Sequence, residues 1–148
     1  MKHCGSNFEY AEERNEDIMR AYKQELAQCK QIFLPDVFNR VVNMPSKRFW
    51  VSAERAAIVI SSMMRGDTLS QMRPTKRRMF QEIYRRVKII QEQNPNMSIY
   101  EMSLKVVQEP APEFYITAGS AKVIIYRIRK QWHKKRSQEL RRLRLPQR

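Results

Sequence analysis

Two stretches of this chain align without a gap, and that alignment limits the possible folds more than any other feature. Residues 45–65 read PSKRFWVSAERAAIVISSMMR and residues 110–130 read PAPEFYITAGSAKVIIYRIRK, a constant offset of 65. Pro45, Phe49, Ala53, Ala56 and Ile60 face the identical Pro110, Phe114, Ala118, Ala121 and Ile125. Trp50 faces Tyr115, Val51 faces Ile116, Ser52 faces Thr117, and Arg65 faces Lys130. Further back, Val41 and Val42 meet Val106 and Val107, Leu34 meets Ile99, and Asp17-Ile18 meets Glu82-Ile83. We read a duplicated unit of about 55 to 65 residues.

Each copy has the same internal plan. A first helix is expected over 13–30 in one copy and 76–93 in the other. In the second of these, Phe80, Ile83, Tyr84, Val87 and Ile90 recur at helical spacing and form one apolar face. A shorter helix follows at 34–43 and at 98–108. Pro35 suits the first turn of one, and Ser98 with Glu101 forms a capping box at the start of the other. Proline then stops each short helix. Ser52 and Thr117 are natural N-caps for a third helix, whose expected core face in copy two is Ala121, Ile124, Ile125, Ile128 and Trp132. The counterpart in copy one is Ala56, Val59, Ile60 and Met63.

The expectation is therefore an all-α protein: two tandem three-helix, helix-turn-helix-like units and a basic C-terminal helical extension. The boundaries read as a flexible N-terminus at 1–12, unit 1 at 13–65, a linker at 66–75, unit 2 at 76–133 and a basic tail at 134–148. The layout resembles tandem helix-turn-helix architecture, a likeness of plan that does not settle function.

Charge narrows the function. Twenty-nine Lys and Arg against fifteen Asp and Glu give a net +14. Residues 1–60 carry nine basic and eight acidic groups, whereas residues 61–148 carry twenty and seven. Self-repulsion concentrated in one half points to an acidic polymer partner, with duplex DNA favoured. On the outward face of the third helix of copy two, Ser120, Lys122, Tyr126, Arg127, Arg129 and Lys130 are candidates for base edges and phosphates. The extension adds Lys134, Lys135, Arg136, Arg141, Arg142 and Arg144, which suit phosphates without sequence preference. In the linker, Arg73, Lys76, Arg77 and Arg78 read as a basic arm that a minor groove would accept.

The same face of copy one is small and nearly uncharged. Its Ala57, Ile58, Ser61 and Met64 are candidates for a protein contact or self-association. The aromatic pairs Phe49-Trp50 and Phe114-Tyr115 occur in both copies, including the weakly charged one, so a core role is expected rather than base stacking.

Nothing suggests catalysis. The histidines are His3 and His133, no zinc spacing or Gly-rich phosphate loop occurs, and no metal or cofactor is expected. Cys4 and Cys29 read as two reduced thiols. The opening residues lack a signal peptide's apolar core and no apolar run is long enough to span a membrane, so a cytoplasmic protein is expected, nucleoid-associated or in a host cytoplasm if viral. The reading is a non-enzymatic DNA-binding regulator or accessory factor of a phage or mobile element. The alternative is a structural, assembly or RNA-associated protein whose basic half meets nucleic acid nonspecifically or an acidic protein partner.

Overall fold

In the computed structural model, which describes residues 10–144, the described chain is all-helical, with six helices and no strand. The expected residues 1–9 of the N-terminal segment and 145–148 of the tail lie outside this range. In chain order the helices are α1 (Ala11–Gln28), α2 (Leu34–Val42), α3 (Ala53–Met64), α4 (Pro74–Gln93), α5 (Ile99–Val107) and α6 (Ala118–Arg144).

Local chemistry explains where they begin and end. Pro35 occupies the first turn of α2 and Pro74 that of α4, where the missing N–H has no intrahelical use. The Ser52, Ser98 and Thr117 hydroxyls accept the backbone N–H groups of Arg55, Glu101 and Ser120 at 3.1, 3.2 and 3.1 Å. The end of α3 is a Schellman motif: Gly66 N–H donates to the Met63 carbonyl and Asp67 N–H to that of Ser62. Gly66 takes φ +103°, which a side chain would strain. Replacing Ser98 with Ala leaves the Glu101 N–H to water and is expected to cost about 1 kcal/mol, read as a lower thermal midpoint with unchanged helix content.

Two cores form, and neither follows chain order. Helix α3 packs against α4 and α5, while α6 packs against α1 and α2. One core joins Phe49, Ala56, Val59 and Ile60 to Phe80, Ile83, Val87, Met102 and Val106. The other joins Ile18, Tyr22, Val37, Phe38 and Val41 to Phe114 and Ile125. Each third helix has thus crossed to the first two helices of the other half.

The crossing segments pair through an antiparallel bridge in which Ser46 and Ala111 exchange N–H and carbonyl bonds at 3.0 Å. Contacts recur at positions 65 apart around it. Phe49 N–H donates to the Val107 carbonyl and Phe114 N–H to that of Val42, both at 3.0 Å. Buried Asp17 accepts from the Arg20 guanidinium and from the Lys47 N–H at 2.8 Å. Its positional counterpart Glu82 accepts from Arg85 and Arg86, whose hydrogen bonds hold the carboxyl below its usual range despite partial burial. Arg20 and Arg86 also donate to the carbonyls of Pro45 and Pro110, at 3.2 and 3.1 Å.

The aromatic pairs lie in this crossing. Phe49 and Phe114 are buried, and Phe49 stacks on Tyr115 with ring centroids 6.0 Å apart. Trp50 is only half-buried, against Tyr10 and beneath the Arg48 guanidinium. Burial, and then the carboxylates of Glu113 and Glu82, push the Tyr115 phenol up to about 12 from 10.0. The unfolded chain therefore loses this proton first, and stability falls as pH rises from about 10 to about 12. Tyr115→Phe should flatten that alkaline limb relative to the parent in urea titrations at several pH values.

Candidate nucleic-acid interface

Helix α6 positions most of the expected contact residues. It is anchored by Ala121 and Ile125, both fully buried, and by the partly buried Ile124 and Ile128. The expected core face ends there, because Trp132 is 47% exposed. From Arg129 to Arg144 every residue is exposed, yet Arg129, Trp132, His133 and Arg136 still border α1, so the stretch beyond that contact is residues 137–144, about 12 Å of helix. The tail is therefore a continuation of α6, at least to Arg144.

On the helix, Arg127, Lys130, Lys134, Arg141 and Arg144 follow one another at intervals of three, four, seven and three residues. That spacing puts all five on the side away from Ala121 and Ile125, in a basic stripe broken only by Ser137. Lys135 and Arg142 lie about a third of a turn round the helix from it, Arg136 lies on the Ala121 and Ile125 side, and Glu139 is the single acid of the helix. None of the stripe cations is engaged in an ion pair among the described residues.

The other candidates on α6 are more tied down. Ser120 is part of the helix N-cap with Thr117. Tyr126 sets its ring edge-on to Phe38 at 5.9 Å and carries the Lys122 ammonium 5.7 Å above it. Arg129 donates to the Tyr22 hydroxyl at 3.5 Å.

The linker arm divides. Arg77 donates to the carbonyls of Leu69, Ser70 and Met72, at 3.0, 3.3 and 2.8 Å, and Arg78 pairs with Glu113 at 2.8 Å. Both guanidiniums are engaged within the protein, whereas Arg73 and Lys76 remain exposed. Placing Arg77 and Arg78 in a continuous arm overlooked the carbonyls exposed by the turn around Leu69, whose φ is +57°. Arg77→Ala is expected to destabilise the fold by about 1.5 to 3 kcal/mol, the worth of charge-assisted hydrogen bonds. Arg73→Ala should leave the denaturation midpoint where it is.

Helix α3 presents a different surface. Ile58 is 62% exposed, but Ala57 and Ser61 are partly buried and Met64 packs against the core of α3, α4 and α5. Of the four protein-contact candidates, Ile58 alone stands well out from the surface.

Sequence reasoning missed one feature. Between α1 and α6 lies an open groove of about 370 Å³, lined by the apolar or aromatic Met19, Tyr22, Leu26 and Trp132 and by the basic Lys23, Arg129, His133 and Arg136. The signal was present in part: Tyr22, Lys23 and Leu26 share one side of α1, but nothing in chain order says that α6 crosses there. Among the described residues no helix is long and apolar enough to cross a membrane. No family model matches this chain, and neither does any curated protein or solved structure.

Proposed function

We propose that this chain is a DNA-binding protein of duplicated, helix-turn-helix-like trihelical units whose third helices have been exchanged. Residues 13–65 and 76–133 are the two copies, and each recognition-type helix is carried by the core of the other. The two outer surfaces have diverged. Helix α3 has 12 residues and no base between Ala56 and Met64, whereas α6 has 27 residues and ten Lys or Arg.

The observation that carries the reading is the exposed basic run of α6 from Arg127 to Arg144. Beyond its contact with α1 the helix leaves Leu140 and Leu143 exposed and gains little from packing, while the close-set charges of Arg141, Arg142 and Arg144 oppose it. A polyanion relieves that repulsion. The stripe from Arg127 to Arg144 meets phosphates, while Lys122, Tyr126 and the first turns of α6 come near base edges. No catalytic role is proposed, and the proposed setting is that of a regulator or accessory factor of a phage or mobile element.

Binding to random-sequence duplex DNA, single-stranded DNA and duplex RNA across a salt series tests this reading, with sequencing of the retained duplex pool. An enriched motif that survives higher salt supports sequence recognition. Steep salt dependence with equal binding to all three polymers favours a structural or packaging role instead.

A further inference from the structure

The groove between α1 and α6 lies beside the basic stripe but is built differently. Half of its lining is apolar or aromatic, Met19, Tyr22 and Leu26 of α1 and Trp132 of α6. The other half is Lys23, Arg129, His133 and Arg136, with no acid among the lining residues. Its volume of about 370 Å³ falls at the small end of the range for ligand sites. The Lys23 ammonium lies 4.8 Å from the centroid of the Trp132 ring, a cation–π contact at the edge of the groove that a bound group would share or displace. The Tyr22 hydroxyl, in turn, is the acceptor for Arg129.

An occupant must therefore offer an apolar, flat body and a compact negative charge. A carboxylate-bearing side chain supplies the charge but not the flat body, and an aliphatic anchor supplies neither. A nucleotide supplies both: the base covers an aromatic ring, and Arg guanidiniums match a phosphate with two parallel N–H donors. We propose that this groove holds one unpaired nucleotide of the bound DNA, its base against Trp132 and its phosphate between Arg129 and Arg136. The proposal rests on the reading of α6 as the DNA-binding helix and assigns to that surface a preference for duplex ends or gaps.

The test uses the full chain carrying Trp50→Phe, which leaves Trp132 as the only tryptophan. Its fluorescence is titrated with a blunt duplex, the same duplex bearing a five-nucleotide single-stranded overhang, and an acidic peptide rich in Leu and Glu. Quenching by the overhang substrate, with affinity about tenfold above the blunt duplex, is the expected result for one stacked base. Trp132→Ala should remove that preference and leave blunt-duplex affinity unchanged, while Trp132→Phe should retain most of it. Trp132 is half-exposed, so these variants fold. Equal affinity for blunt and overhang duplexes overturns the nucleotide site while leaving the α6 reading standing. Quenching by the acidic peptide alone reassigns the groove to a protein partner. Failure to bind either duplex overturns both readings.

Discussion

A chain ending at His133 should fold normally and lose at least a hundredfold in affinity for duplex DNA at near-physiological salt, as an order-of-magnitude expectation. The deletion removes seven cations, Lys134, Lys135, Arg136, Arg141, Arg142, Arg144 and Arg148. The described residues among them are exposed, and none contributes to either core. If five of the seven meet phosphates, the slope of log affinity against log salt falls by about 4.5. A change of that size in the slope, with an unchanged denaturation midpoint, identifies lost phosphate contacts rather than lost structure. Charge reversal at Lys122, Arg127 and Lys130 provides the comparison. These three lie on the anchored part of α6, so their reversal should abolish tight and sequence-selective binding. Arg129 is left out because its bond to Tyr22 would confuse binding with packing. Intact affinity in the triple variant, with loss in the truncated chain, would make the extension the binder and remove the recognition role of α6.

The largest effect on stability is expected at Phe49. Its side chain is 1% exposed, stacks on Tyr115 and lies 5.0 Å beneath the Arg86 guanidinium. Its N–H closes the bond to Val107 that brings α3 into the core of α4 and α5. Phe49→Ala removes a large buried ring where several elements meet, so the vacated space cannot collapse easily, and the cost should be about 3 to 5 kcal/mol. Urea denaturation reads this directly. Trp50→Ala, one residue away but half-buried, should cost distinctly less. A loss below about 1 kcal/mol for Phe49→Ala would mean that the crossing is not what holds the two halves together.

Much of the local structure was legible in the sequence because its causes are local. The helix starts at Ser52, Ser98 and Thr117 follow from side-chain oxygens that satisfy free N–H groups. Phe80, Ile83 and Val87 are buried as their spacing required, and Phe49 and Phe114 are core residues. Helix α1 begins at Ala11 rather than Glu13, and α4 at Pro74 rather than Lys76, differences of two residues at frayed ends. The basic arm was only partly legible. The carbonyls that engage Arg77 become available through the turn around Leu69, and Glu113 reaches Arg78 from 35 residues away.

The sequence by itself determined the all-helical class, the positions of the six helices, the burial of the paired phenylalanines and the concentration of positive charge along α6. Each depends on residues within a few turns of one another, where propensity, capping and periodicity act directly. Tertiary structure alone decided which helices share a core. Because residues 65 apart carry matching apolar faces, either arrangement of the third helices satisfies the same hydrophobic pattern, and the pattern cannot choose between them. The choice lies in the crossing, where Ser46 pairs with Ala111, Phe49 with Val107 and Phe114 with Val42. That crossing lays α6 across α1 and brings Trp132 and Arg136 beside Tyr22 and Lys23, a groove that no sequence period encodes.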